Sequence, residues 1–154
     1  MHVVIWTSKR QRYATPSSVV VEVVPMVLAR PIPGVEPWLT GWFDYRGALL
    51  PLIDASQLLG HGASQILMSS RILVVQTEQR KEKPERRLGL IVEHVLGAES
   101  VAFDASAFEL SPPSATGGFL GPMARVEGGA LQLTIPARLP LDRIAFTNSP
   151  HATA

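Results

Sequence analysis

The sequence predicts a mostly β protein, and three observations carry that expectation. Most apolar segments are four to eight residues long and rich in Val, Ile and Leu. Glycine and proline, 12 and 13 of the 154 residues, fall between those segments. Two short turn signals, Arg46-Gly47 and Gly128-Gly129, each separate a pair of apolar runs. Short apolar runs punctuated in this way read as strands joined by turns rather than as long helices.

Taken in order, strands are expected near residues 3–6, 12–15, 42–45, 48–53, 71–76, 88–92, 98–101, 123–126 and 130–135. Gly47 takes positive φ at low cost, so Arg46-Gly47 is read as a hairpin corner that holds one long cation at the rim of an apolar sheet. Asp54 is placed to cap a short helix over 55–59, with Gln57 three residues on and Gly60 as its stop. Residues 16–23 carry two signals. Thr15 as N-cap and Pro16 as first residue suit a helix, whereas Val19-Val20-Val21 and Val23-Val24 favour a strand. Propensity alone selects the strand. Pro25, Pro31, Pro33 and Pro37 then mark a connection that no central strand tolerates. Two longer loops are expected, one mixed in charge over 78–87 and one over 102–118 containing Pro112-Pro113 and Gly117-Gly118.

Composition removes several function classes. A chain that is 46% apolar buries a real core, as one domain or two small lobes. A net charge of +1, with both signs interspersed, creates no global field for nucleic acid or an anionic membrane. Without cysteine there is no disulfide framework, thiolate nucleophile or thiolate metal site. The first residues lack a basic leader and are too short for a secretory signal, and no apolar run reaches the roughly 18 residues needed to span a bilayer. An intracellular protein is therefore expected, with a small, polar, disordered tail over 147–154.

Reactive constellations are weak. His2, His61, His94 and His151 show no metal-ligand spacing, and no metal or cofactor is expected. Gly60-His61-Gly62-Ala63-Ser64 lacks the lysine and glycine spacing of a phosphate loop. Asp44, Asp54 and Asp104 do not form an acid–base pair. Surfaces remain. Arg46 reads equally as a turn residue bonding nearby carbonyls or as an interface anchor. Glu22, alone among valines, must face water or a partner. Trp38 and Trp42 read as packing residues. The basic stretch 80–87 is a solvated hairpin loop in its plainer reading and a nucleic-acid contact in the alternative one.

The ordered set of motifs resembles the CheW-like domain family, coupling adaptors of bacterial chemosensory arrays. The resemblance runs through Val3-Val4-Ile5-Trp6, Tyr13-Ala14-Thr15, Val20-Val21-Glu22-Val23, and Gly41-Trp42-Phe43-Asp44-Tyr45-Arg46-Gly47 followed by Leu50-Pro51-Leu52-Ile53-Asp54. It continues through Gly89-Leu90-Ile91-Val92-Glu93-His94-Val95, Phe119-Leu120-Gly121 and the hairpin over 128–135, covering about residues 3–141.

The resemblance implies a fold of two SH3-like five-stranded β-barrel lobes packed together, with short helices, one of them over 16–23. It places a single such domain over 1–146, with one lobe at roughly 15–80 and the other at roughly 81–146, the N-terminal strand being a candidate addition to the second. It implies no enzymatic activity, no cofactor and no small-molecule substrate. The implied role is a cytoplasmic adaptor, associated with membrane receptor arrays but not inserted in the membrane. Its partners would be a chemoreceptor cytoplasmic tip and the regulatory domain of a CheA-type histidine kinase, with no nucleic acid. By motif, the receptor-binding residues would be Val20, Glu22, Gly41, Asp44 and Arg46 from one lobe and Gly89, Leu90, Val92 and Val95 toward the other. Asp44 stands where the family motif has Asn, which puts a carboxylate two residues from Arg46, able to hold that cation or to mask it. Ala55 stands where the family prefers leucine, and Pro136 and Pro140 interrupt a segment that is often helical.

Overall fold

Runs of β-branched and aromatic residues between glycines and prolines become strands in the structure, a computed structural model that describes residues 1–77, 86–103 and 119–139. In chain order these are β1 (His2–Ser8), β2 (Gln11–Pro16), β3 (Val20–Pro25), β4 (Leu39–Tyr45), β5 (Ala48–Asp54), β6 (Arg71–Gln76), β7 (Arg87–Val92), β8 (His94–Ser100), β9 (Leu120–Val126) and β10 (Gly129–Thr134). One helical turn, α1 (Ala55–Leu58), follows β5. Asp54 caps it as expected: its Oδ1 accepts the Ser56 amide at 3.0 Å, and its Oδ2 accepts the Ser64 amide at 2.9 Å, tying the following loop down. The loops over 78–87 and 102–118 and the tail lie wholly or mostly outside the described residues.

The strands form two five-stranded mixed sheets. The central sheet has the order β3-β6-β7-β5-β4 and the terminal sheet the order β8-β1-β2-β10-β9. One pair in each is parallel, β5 with β7 and β2 with β10. Strand β7, which the resemblance assigned to the second lobe, is hydrogen-bonded between β5 and β6 of the central sheet. Strands β1 and β2 belong to the terminal sheet.

Two expectations from the resemblance need correction. The lobes are not closed barrels: no ladder joins β3 to β4 in the central sheet or β8 to β9 in the terminal one. The proline-rich connection after β3 explains the first gap. Proline has no N–H to give a ladder, and the connection makes a single bridge to β4, at Arg30, whose backbone exchanges bonds of 2.7 and 2.9 Å with Trp42. The second correction concerns residues 16–23. Pro16 ends β2, residues Ser17–Val19 make a single 3-10 turn, and Val20–Pro25 is the strand that its β-branched content favours. Thr15 does not cap; its hydroxyl is buried between the sheets.

Alternation along the strands builds three apolar clusters. In β7, Leu88, Leu90 and Val92 face the seam between the sheets, where they meet Trp6 and Tyr13 of the terminal sheet. Ile91 faces the opposite way, into a cluster with Phe43, Tyr45, Leu52 and Ile72 inside the curl of the central sheet. Val3, Ile5, Leu131 and Leu133 belong to the corresponding cluster of the terminal sheet. Three polar side chains pair within the seam. Trp6 Nε1 donates to Thr15 Oγ1 at 2.9 Å, and Thr134 Oγ1 donates to the Ala14 carbonyl at 2.9 Å. Each hydroxyl has one proton, so the 2.9 Å contact between them runs from Thr15 to Thr134.

Gly41 permits the connection to lie against β4, because a Cβ there would collide with the Arg30 carbonyl. Gly41→Ala is expected to break the Arg30–Trp42 bridge and lower unfolding stability in urea by about 1–3 kcal/mol. An unchanged midpoint would show that the bridge contributes nothing to the fold.

Candidate protein-docking site

The hairpin between β4 and β5 turns on Arg46 and Gly47, both left-handed at φ 50° and 84°. Two positive φ values define a turn whose twist matches the flanking strands, and glycine accommodates this more readily than arginine. The conformation is braced by Asp44, whose Oδ1 accepts the Gly47 amide at 3.0 Å. Asp44 thus braces the turn, while Arg46 takes another partner.

That partner is Glu22. Arg46 Nη2 donates to Glu22 Oε2 at 2.9 Å, and the Tyr45 hydroxyl donates to the same oxygen at 2.5 Å. The Arg46 guanidinium also stands 5.5 Å from the Tyr45 ring centre, within cation–π range. Glu22 lies on edge strand β3, while Tyr45 and Arg46 lie at the end of edge strand β4. Side chains therefore join edges that no ladder joins. The Arg46 side chain remains 73% exposed and that of Glu22 36%. Beside it, Val24, Pro25, Val27 and Phe43 line a shallow recess with Glu22 and Arg46 at its lip.

The other candidate residues sit deeper. Leu90 and Val92 are buried in the seam, and Gly89 faces the inside of the curl, where a Cβ would come within 2.7 Å of Ile72 and Phe43. Val20 and Val95 are half-buried against the seam cluster. Of the nine, the structure brings together Glu22, Asp44 and Arg46 at the surface, with Gly41 buried earlier on β4. Sequence reasoning missed Tyr45. Its signal was an aromatic residue one position before Arg46 and two after Phe43, on the same face of the strand.

Around the remaining candidates the chemistry is structural. The Ser64 amide, in the glycine-containing stretch over 60–64, is used by Asp54. Among the described residues no cluster of His, Asp or Glu could hold a metal ion, and no helix is long and apolar enough to cross a membrane.

The fold is thus two packed open sheets with a charged clasp on an exposed hairpin. The CheW-like domain family matches residues 2–136, and the chain belongs to that family. It is 35% identical over 81 residues to Protein PilI of Pseudomonas aeruginosa, a match spanning 53% of this chain and 42% of the relative. The match thus spans less than half the length of that curated protein. The crystal structure of scaffolding protein TtCheW from Thermoanaerobacter tengcongensis superposes with a TM-score of 0.70 at 24% identity, covering 86% of this chain and 82% of that one. CheW-like adaptors are non-catalytic.

The clasp has a pH signature. The Tyr45 hydroxyl, and then the Arg46 charge against partial desolvation, hold the Glu22 carboxyl below its usual range. The same bond to Glu22, helped by burial, pushes the Tyr45 hydroxyl above its own. A depressed carboxyl stabilises the fold above its unfolded pKa and loses that contribution as pH falls through its folded value. A raised phenol stabilises below its unfolded pKa and loses the contribution as pH rises through its folded value. In Tyr45→Phe, the NMR titration midpoint of Glu22 is expected to move back toward the ordinary carboxylate range. An unmoved midpoint would assign the whole shift to Arg46.

Proposed function

We propose that this protein is a non-enzymatic adaptor coupling the cytoplasmic tip of a chemoreceptor to the regulatory domain of a CheA-type histidine kinase in a bacterial chemosensory pathway. It would act in the cytoplasm, against membrane receptor arrays. Family membership supplies the class of activity, since CheW-family proteins couple chemoreceptors to CheA kinases. The Glu22–Tyr45–Arg46 clasp, with Arg46 exposed at its tip, is the observation that supports the receptor contact.

In this reading, Arg46 and Glu22 select polar groups on the receptor helices, and the recess over Val24 and Phe43 takes an apolar side chain between them. Helix recognition of this kind joins an apolar stripe to a few oriented charges. Asp44 keeps the turn in the shape that presents Arg46. Gly89 would support the surface through the close approach of Phe43, Gly41 through the Arg30 bridge beside β4, and Val20, Leu90, Val92 and Val95 only through the packing of the seam. The kinase would dock elsewhere on the molecule.

Arg46→Glu reverses the presented charge at an exposed position and should leave the fold intact. Affinity for a receptor-tip fragment is expected to fall at least about tenfold, as for a binding hot spot, with affinity for the kinase regulatory domain nearly unchanged. Equal loss of both, with unaltered circular dichroism, would remove the site from the receptor interface.

A further inference from the structure

A second surface lies in the loop between α1 and β6. Ile66, Leu67 and Met68 are consecutive and exposed at 62%, 46% and 98%. Three large apolar side chains in a row at a surface incur a hydration cost that monomeric proteins keep to small areas.

The backbone of this loop is tied in place. The Ser70 amide donates to the Leu67 carbonyl at 3.0 Å, and the Leu67 amide donates to Ser70 Oγ at 2.7 Å. Arg71 Nη1 donates to the carbonyls of Met68 and Ser70 at 2.7 and 2.8 Å. Ser69 Oγ donates to the Glu93 carbonyl at 2.8 Å. The apolar side chains are thus presented on a pre-organised turn, which lowers the ordering cost of binding.

Glu93 ties the loop to a second exposed turn. Its Oε2 accepts the Lys9 amide at 3.2 Å, and Lys9 and Arg10 form the β1–β2 turn with φ of 47° and 66°. Both of these cations are exposed, so the apolar turn is flanked by a basic one. Arg71 adds a third positive charge, and the Glu93 carboxylate is the one negative charge in this set.

We propose that the turns over 65–70 and 9–10 form a second docking surface, whose occupant is an acidic amphipathic segment of a partner protein. Its apolar stripe covers Ile66, Leu67 and Met68, and its carboxylates meet Lys9 and Arg10. The charge argues against the other occupants. A two-fold contact between copies of this chain would set like charges against each other. Two flanking cations and three apolar side chains give only a weak hold on an anionic bilayer.

The test uses the full chain, with NMR of its methionine methyls and backbone amides. The probe is a helical peptide with a leucine stripe flanked by glutamates, and its control is the same peptide with lysines. Saturable shifts at Met68, Lys9 and Arg10 are expected with the acidic peptide, and binding at least about tenfold weaker with the lysine peptide. Met68→Ser, at an almost fully exposed position, should weaken binding without altering the spectrum elsewhere, and Lys9→Glu with Arg10→Glu should abolish the charge preference. Equal binding of the two peptides, or shifts confined to the clasp, would overturn the proposal. So would concentration-dependent shifts without peptide, which identify a second copy. Tighter binding to phosphatidylglycerol vesicles than to the acidic peptide would overturn it too, and identify a lipid surface.

Discussion

The central sheet leaves two edges, β3 and β4, that no ladder closes, and the structure depends on how those edges are held together. Their curl is held mainly from within. Phe43, Leu52, Ile72, Val74 and Ile91 are almost fully buried inside it, and each such side chain is worth about 1.5–3 kcal/mol of burial. An exposed ion pair is a far smaller contribution. The Glu22–Tyr45–Arg46 contact therefore does not make the curl. It decides which charges the two edges show to solvent once apolar packing has brought them near each other.

This division explains where the proposed binding residues lie. A central strand such as β7 alternates between the seam and the inside of the curl, so its side chains have no face left for a partner. Leu90 and Val92 are committed to Trp6 and Tyr13 across the seam, and Gly89 is committed to the close approach of Phe43. Edge strands and turn tips carry no such commitment. Glu22 on β3, Asp44 and Arg46 at the tip of β4, and Ile66, Leu67 and Met68 before β6 are all of this kind. The proposed adaptor role suits that arrangement, with apolar side chains packed inside and charged and apolar groups presented at the periphery.

Much of the local structure was legible in the chain. Alternating apolar runs located nine of the ten strands to within a few residues, and Arg46-Gly47 and Asp54 marked a turn and a cap because their chemistry acts over three or four residues. The valine-rich run at β3 was read correctly by propensity and incorrectly as a helix through family resemblance. There the β-branched side chains prevailed, because an edge position beside β6 was open to take them.

What the sequence determined by itself was whatever depends on near neighbours: strand propensity, the left-handed corner that exposes Arg46, the Asp54 cap, and the isolation of Glu22 among valines. What only the tertiary structure decided was which distant segments meet. The assignment of β7 to the central sheet, the failure of β3 and β4 to close, and the Tyr45 hydroxyl shared with Glu22 all join residues far apart in the chain. Their energies come from packing inside the curl of the central sheet and across the seam between the two sheets. Local sequence spacing carries no record of which edge will lie beside which.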